Sequence, residues 1–164
     1  MEPTLHSATS PIVSEIAELL MSRGWTLSTA ESCTGGGIGH ALTVLPGSSA
    51  WFEGGVICYA NGVKANLLHV PTVLLNKYGA VSEQVAIAMA RGVRKLLATD
   101  ISIAVTGVAG PGGATPEKPV GTVWIAWGTG QETAARYFHF EGDRDQIRAQ
   151  TVVQALLGVL TLLT

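Results

Sequence analysis

Three short segments place reactive side chains beside glycine-rich turns. The first is Thr29-Ala30-Glu31-Ser32-Cys33-Thr34-Gly35-Gly36-Gly37, a strand end running into a helix start. A helix start carries unsatisfied N–H groups and partial positive charge, which suits an oxyanion or a phosphate. The small residues let a substrate approach the main chain closely. Familiar motifs do not cover the segment. A GxGxxG fingerprint from Gly35 would need glycine where His40 stands, GxSxG fails at Ala30 and Thr34, and SxxK fails at Gly35. Taken alone, Ser32 reads equally well as a nucleophile or a helix cap, and Glu31 as a charge that holds the turn.

The second segment is Tyr59-Ala60-Asn61-Gly62-Val63-Lys64. Its lysine follows an apolar strand and opens a short helix. Desolvation and the positive helix end both disfavour the ammonium. A neutral lysine can take the proton of a serine hydroxyl. From this segment alone a solvated surface lysine is the plainer reading. The third segment is Thr106-Gly107-Val108-Ala109-Gly110-Pro111-Gly112-Gly113, just past another strand. It is no P-loop, because Gly112, Gly113 and Ala114 stand where Gly-Lys-Ser/Thr is required. Its main-chain donors and the Thr106 hydroxyl remain available to a ligand. His6, His40, His69 and His139 are scattered without metal-ligand spacing, so neither a metal nor a cofactor is expected.

The elements that position these segments follow from periodicity. Ser10-Pro11 reads as a helix start, with Ile12, Ile16, Leu19 and Leu20 on one face and Gly24 as the stop. Trp25 to Ala30 reads as a strand, Thr34 to Val44 as a helix, and Gly54 to Ala60 as a buried strand. Asn61 then opens a helix. Val81 to Leu97 is amphipathic, opening at Ser82 with Val85, Ala86, Met89, Val93 and Leu96 inward. Ile101 to Thr106 reads as a central strand, and Val120 to Gly128 with Thr133 to Phe140 as a hairpin. Asp143 caps a last helix to about Leu163. Early alternation and a late hairpin predict an α/β fold: one three-layer α/β/α domain over residues 11–164, with a mixed sheet including a C-terminal antiparallel hairpin. Residues 1–10 are expected to form a flexible N-terminal tail.

Composition narrows the function. Of 164 residues 47% are hydrophobic and only 13% charged, with net charge −2, which argues against nucleic acid as a partner. The first residues lack a signal-peptide pattern. The run Val152 to Leu163 is interrupted by Gln154 and is short for a bilayer span. A cytoplasmic protein with no membrane partner is the expectation. Cys33 and Cys58 show no CxxC spacing and read as reduced, partly buried thiols.

Read together, the segments resemble the CinA C-terminal domain family, also called the competence/damage-inducible family. The matching text is TAESCTGG at Thr29–Gly36, PGSSAWFEGGVICYANGVKANLL at Pro46–Leu68, GAVSEQVA at Gly79–Ala86 and AVTGVAGPGGATPEKPVGTVWIA at Ala104–Ala126. The resemblance implies hydrolysis of the carboxamide of nicotinamide mononucleotide to nicotinic acid mononucleotide and ammonia, through an acyl-enzyme and without cofactor. It implies Ser32 as nucleophile, Lys64 as general base, and Tyr59 as a modulating hydroxyl near the lysine. Cys33, Gly35, Gly36, Thr106, Gly107 and Gly110 would line the substrate pocket, with the arginine pair Arg144 and Arg148 supplying one phosphate contact. A non-catalytic nucleotide-binding or assembly module, or an amidase for another small amide, are the alternatives.

The last helix also bears on assembly. Thr151 to Leu160 is apolar nearly all round, while an outer-layer helix needs one apolar face. An uncovered second face implies a homodimer, unless the first helix covers it within one chain.

Overall fold

The computed structural model describes residues 4–164. Five strands form one sheet in the order β2-β1-β3-β4-β5. They are β1 (Leu27–Glu31), β2 (Phe52–Ile57), β3 (Ile101–Gly107), β4 (Thr122–Gly128) and β5 (Thr133–His139). β1 runs parallel to both β2 and β3, and β4 runs antiparallel to its neighbours β3 and β5. The expected mixed sheet and its C-terminal hairpin are therefore present. The α-helices among the described residues are α1 (Leu5–Arg23), α2 (Gly37–Thr43), α3 (Asn61–Leu68), α4 (Thr72–Tyr78), α5 (Glu83–Leu97) and α6 (Arg144–Leu163). α5 lies across one face with α3 and α4 against it, while α6, α1 and α2 cover the other.

The two faces have different chemistry because side chains alternate along each strand. Leu27, Ile101, Ile103, Val105, Val123, Ile125 and Trp127 build a large, mainly aliphatic core with α1, α2 and α6. Ala30, Ala104 and Ala126 face α5, and these small side chains let that helix lie close to the sheet. Gly92 continues the close approach on the far side of α5. A Cβ there would fall 2.2 Å from the Leu68 carbonyl oxygen, so the end of α3 rests on bare backbone. That contact helps fix the helix carrying Lys64.

Several expected boundaries shift. The segment expected to be a loose tail is helical from Leu5, with the Thr4 side chain accepting from Ser7 N as N-cap. Residues 1–3 of that expected tail lie outside the described residues. Pro11 therefore sits inside α1 and not at its start. β2 is an edge strand with alternating exposure, not a buried one, and Cys58 to Ala60 continue beyond it as a loop. α4 was not foreseen: of its residues only Leu75 is buried, so its sequence carries little periodicity. On α5, Leu96 is 44% exposed although it was expected inward. Leu97 instead packs over Gly54, while Leu96 borders a groove with Leu68 and His69.

α6 is long and apolar enough to cross a membrane by length and composition alone. In this fold it lies on the sheet, burying Ile147, Thr151, Val152, Ala155, Leu156, Val159 and Leu163. α1 packs beside it and takes up part of its second face within the chain, leaving Leu157 and Leu162 at 37% exposure each. The seat of α6 is Trp127, whose Nε1 donates to the Ala155 carbonyl at 2.9 Å. A Cβ on Gly158 would lie 2.1 Å from the Trp127 ring, so only glycine fits without displacement. Gly158→Ala is expected to destabilise the fold by about 1–3 kcal/mol through overpacking, read as a lowered thermal midpoint.

Candidate active site

Ser32 follows the last residue of β1, and its N–H still donates to the Val105 carbonyl at 3.1 Å. The ladder thus fixes the serine's backbone one residue beyond the strand. The chain then folds sharply: Gly35 N donates to Ser32 O at 3.1 Å, and Gly35 and Gly36 take positive φ of 58° and 101°. Glu31 braces this turn from beneath. Its buried carboxylate accepts from Thr34 Oγ1 (2.6 Å), Ile38 N (2.8 Å) and Gly39 N (2.9 Å). It therefore satisfies orphan N–H groups in the first turn of α2 and faces its positive end.

Lys64 approaches Ser32 from the opposite side. α3 opens at Asn61, as the sequence implied, and the Lys64 side chain is 1% exposed. Its Nζ lies 2.7 Å from Cys58 O, 3.1 Å from Tyr59 O and 3.2 Å from Ser32 Oγ. The carbonyls can only accept, so they claim two N–H bonds of the amine. In the neutral form the lone pair is then left for the Ser32 hydroxyl. Burial holds the Lys64 pKa below the ordinary lysine value, opposed by the nearby Cys58, Cys33 and Tyr59. The geometry permits this amine, in its neutral form, to accept a serine proton.

The neighbouring thiols have the opposite character. Both are free and buried, as expected. Burial pushes the Cys33 thiol up to about 12 and the Cys58 thiol up to about 11. Neither is a thiolate near neutral pH, so neither is an activated nucleophile.

Ser32 and Lys64 open onto a cavity of about 270 Å³ whose walls include Tyr59, Thr106 and Arg144. It lies beyond the carboxyl ends of parallel β1 and β3, where open α/β sheets bind ligands. The Thr106 hydroxyl donates to Ala80 O at 2.9 Å, joining the end of β3 to the α4–α5 junction. Gly107 and Gly110 line the same cavity with Cys33. A Cβ at Gly110 would meet Val120 at 2.6 Å, so glycine here serves loop packing as well as access. Arg144 spans the mouth, donating to Gly110 O (2.7 Å) and Tyr59 Oη (3.2 Å). Among the described residues, no three His, Cys, Asp or Glu side chains converge on a metal position.

The CinA C-terminal domain profile matches residues 9–163. The chain belongs to the CinA C-terminal domain family. It is 48% identical over 151 residues to the nicotinamide-nucleotide amidohydrolase PncC of Pseudomonas putida, covering 92% of this chain and 94% of that one. A CinA-like protein of Geobacter metallireducens is 52% identical over 141 residues, but those span only 34% of its length. This chain thus corresponds to about a third of such longer CinA-like relatives. Among solved structures, the competence damage-inducible protein A of Klebsiella pneumoniae superposes with a TM-score of 0.90 at 38% identity, covering 94% of this chain and 96% of that one. CihA of Agrobacterium tumefaciens gives 0.90 at 36%, covering 100% and 99%.

Within this CinA domain the four motifs occupy different places. Ser32, Cys33, Tyr59, Lys64, Thr106, Gly107, Gly110 and Arg144 all border the cavity, whereas Gly35, Gly36 and Arg148 do not. Gly35 sits against the Arg148 guanidinium and Gly36 against the Ile57 side chain. The Tyr59 hydroxyl is near enough to act on the Lys64 charge but makes no direct hydrogen bond to the amine. The main-chain carbonyl of Tyr59, not its hydroxyl, meets Lys64, and its 61% exposed ring offers the hydroxyl to Arg144. Ala80 and Val81 also line the cavity, as does the rest of the glycine loop at Val108, Ala109, Gly112 and Gly113. Ala80 and Val81 belong to GAVSEQVA, a motif legible in the sequence to which no site residue had been assigned.

Proposed function

We propose that this chain hydrolyses the carboxamide of nicotinamide mononucleotide to nicotinic acid mononucleotide and ammonia. The observation that carries the reading is the buried Lys64 amine aimed at Ser32 Oγ between two carbonyls, in a cavity open to a small ligand. The relative named nicotinamide-nucleotide amidohydrolase, alike over nearly both chains, supports the substrate.

In this mechanism Ser32 Oγ attacks the carboxamide carbon while Lys64 Nζ accepts its proton. The N–H groups of the turn not already bonded to main-chain carbonyls, those of Cys33, Thr34 and Gly36, are the oxyanion donors in this reading, each worth about 3 kcal/mol of barrier. Protonated Lys64 passes the proton to the departing nitrogen, the C–N bond breaks, and ammonia leaves. A water then loses its proton to Lys64, attacks the acyl-serine ester, and releases the carboxylate as Ser32 regains its hydrogen. Incubating purified protein with nicotinamide mononucleotide and assaying ammonia and nicotinic acid mononucleotide tests the assignment directly. No release above a protein-free control would refute it.

Of the two arginines, only Arg144 borders the cavity, so it is the one assigned to the 5′-phosphate. A charge-assisted contact contributes about 1.5–3 kcal/mol, equivalent to about ten- to a hundredfold in kcat/KM. Nicotinamide riboside, which lacks the phosphate, should be a poorer substrate by that factor, and Arg144→Ala should erase the difference. Equal kcat/KM for both substrates in the wild type would show that phosphate is not read.

A further inference from the structure

Arg148 stands one helical turn after Arg144, on the same side of α6, yet its guanidinium turns away from the cavity. Its Nε donates to Cys33 O at 3.1 Å and its Nη2 to Thr34 O at 3.1 Å. These two N–H groups lie on one edge of the planar guanidinium, a fork whose fixed spacing matches two successive carbonyls. The turn after Ser32 is thus gripped across more than a hundred residues of sequence.

We propose that Arg148 is a positioning residue that makes Ser32 reactive, and not a reader of the substrate phosphate. The Cys33 and Thr34 carbonyls belong to the peptide units whose N–H groups are those of Thr34 and Gly35. A cation bonded to a carbonyl polarises its peptide and strengthens the donor at the other end. At Gly35 that donor closes the turn onto Ser32 O. At Thr34 it is one of the turn's candidate oxyanion donors. Glu31 holds the Thr34 side chain of the same turn and the Ile38 and Gly39 N–H groups of the helix that follows, so the two charges act on this stretch through different atoms. The depth of α6 is set independently, by Trp127 against Gly158 and by the Asp143–Gln146 capping box. Arg148 therefore extends from a helix whose place does not depend on it.

The inference rests on Ser32 being the nucleophile, and the test separates that from the choice of substrate. Arg148→Lys keeps the charge but replaces the fork by a single nitrogen. It is expected to lower kcat on nicotinamide mononucleotide about a hundredfold, the cost of a small misplacement of reacting groups, with KM little changed. Labelling of Ser32 by a small fluorophosphonate, followed by intact mass and peptide mapping, should slow by a similar factor although the reagent carries no nucleotide. Arg148→Gln, retaining one donor, should fall between wild type and Arg148→Met. All rates are read on folded protein, below each variant's thermal midpoint. Unchanged labelling with a raised KM for the mononucleotide, and no such rise for the riboside, would make Arg148 a phosphate reader and overturn the proposal. Unchanged labelling and unchanged kcat would overturn it too, as would a wild type in which Ser32 does not label. Arg148-dependent labelling without ammonia release would sustain the positioning role and remove only the substrate.

Discussion

Ser32→Ala is expected to reduce ammonia release by about four to six orders of magnitude, because removal of a nucleophile leaves only binding and oxyanion stabilisation to act. The fold should survive the change. Ser32 N–H keeps its bond to Val105 O, Glu31 still braces Thr34, Ile38 and Gly39, and among the described residues the lost hydroxyl has only Lys64 Nζ as a protein partner. The stability difference should stay within about 1 kcal/mol, the usual net value of one hydrogen bond. Cys33→Ala is the necessary companion. A thiol pushed up to about 12 by burial is protonated at working pH, so its removal should leave most of the activity. An active Ser32→Ala beside an inactive Cys33→Ala would transfer the acyl-enzyme to the cysteine and end the serine assignment. Intact-mass detection of the acylated peptide provides a second readout that does not depend on rates.

Ser32 also shows how far the residues alone could lead. Strand, turn and helix around it were legible because alternation, a glycine cluster and helical spacing follow one another within a few residues. Its pairing with Lys64 was not legible from either segment. A serine cap and a surface lysine were reasonable local readings, and only the resemblance joined them. The structure adds the physical reason: Cys58 and Tyr59, in the loop just after β2, present two carbonyls that draw the lysine head under α3. Start signals misled where polar residues mimicked one. Ser10-Pro11 has the form of an N-cap and first turn, yet Thr4 caps the helix and Pro11 lies within it. The arginines mark a further limit. Spacing shows that Arg144 and Arg148 share a helix face, but not that one crosses the cavity mouth while the other reaches the carbonyls behind the serine. That difference depends on where the two loops meet α6, which is a property of the assembled fold.

Lys64→Arg and Lys64→Met are both expected to be inactive, by at least about two to four orders of magnitude, the usual worth of a positioned general base. The reasons differ. Arginine cannot give up its proton near neutral pH, and its planar fork does not fit where one nitrogen serves two carbonyls and a hydroxyl. Methionine has similar length but no basic atom. In the wild type the base form is the neutral amine, so kcat/KM should rise with pH and level off above the Lys64 pKa, which burial holds below the ordinary lysine value of about 10.4. The same shift has a sign in stability. A lysine whose folded-state pKa is lowered binds fewer protons folded than unfolded. Stability therefore increases as pH rises between the lowered value and about 10.4, and is reduced below that window. Lys64→Met should lack this rise, so melting curves of the two proteins across the window should converge or separate with pH, not run parallel. A Lys64→Arg variant with wild-type turnover would reduce the lysine to a fixed positive charge. Parallel melting curves combined with a flat pH–rate profile would show that the amine does not titrate between the folded and unfolded states, and the base would have to be sought elsewhere in the cavity.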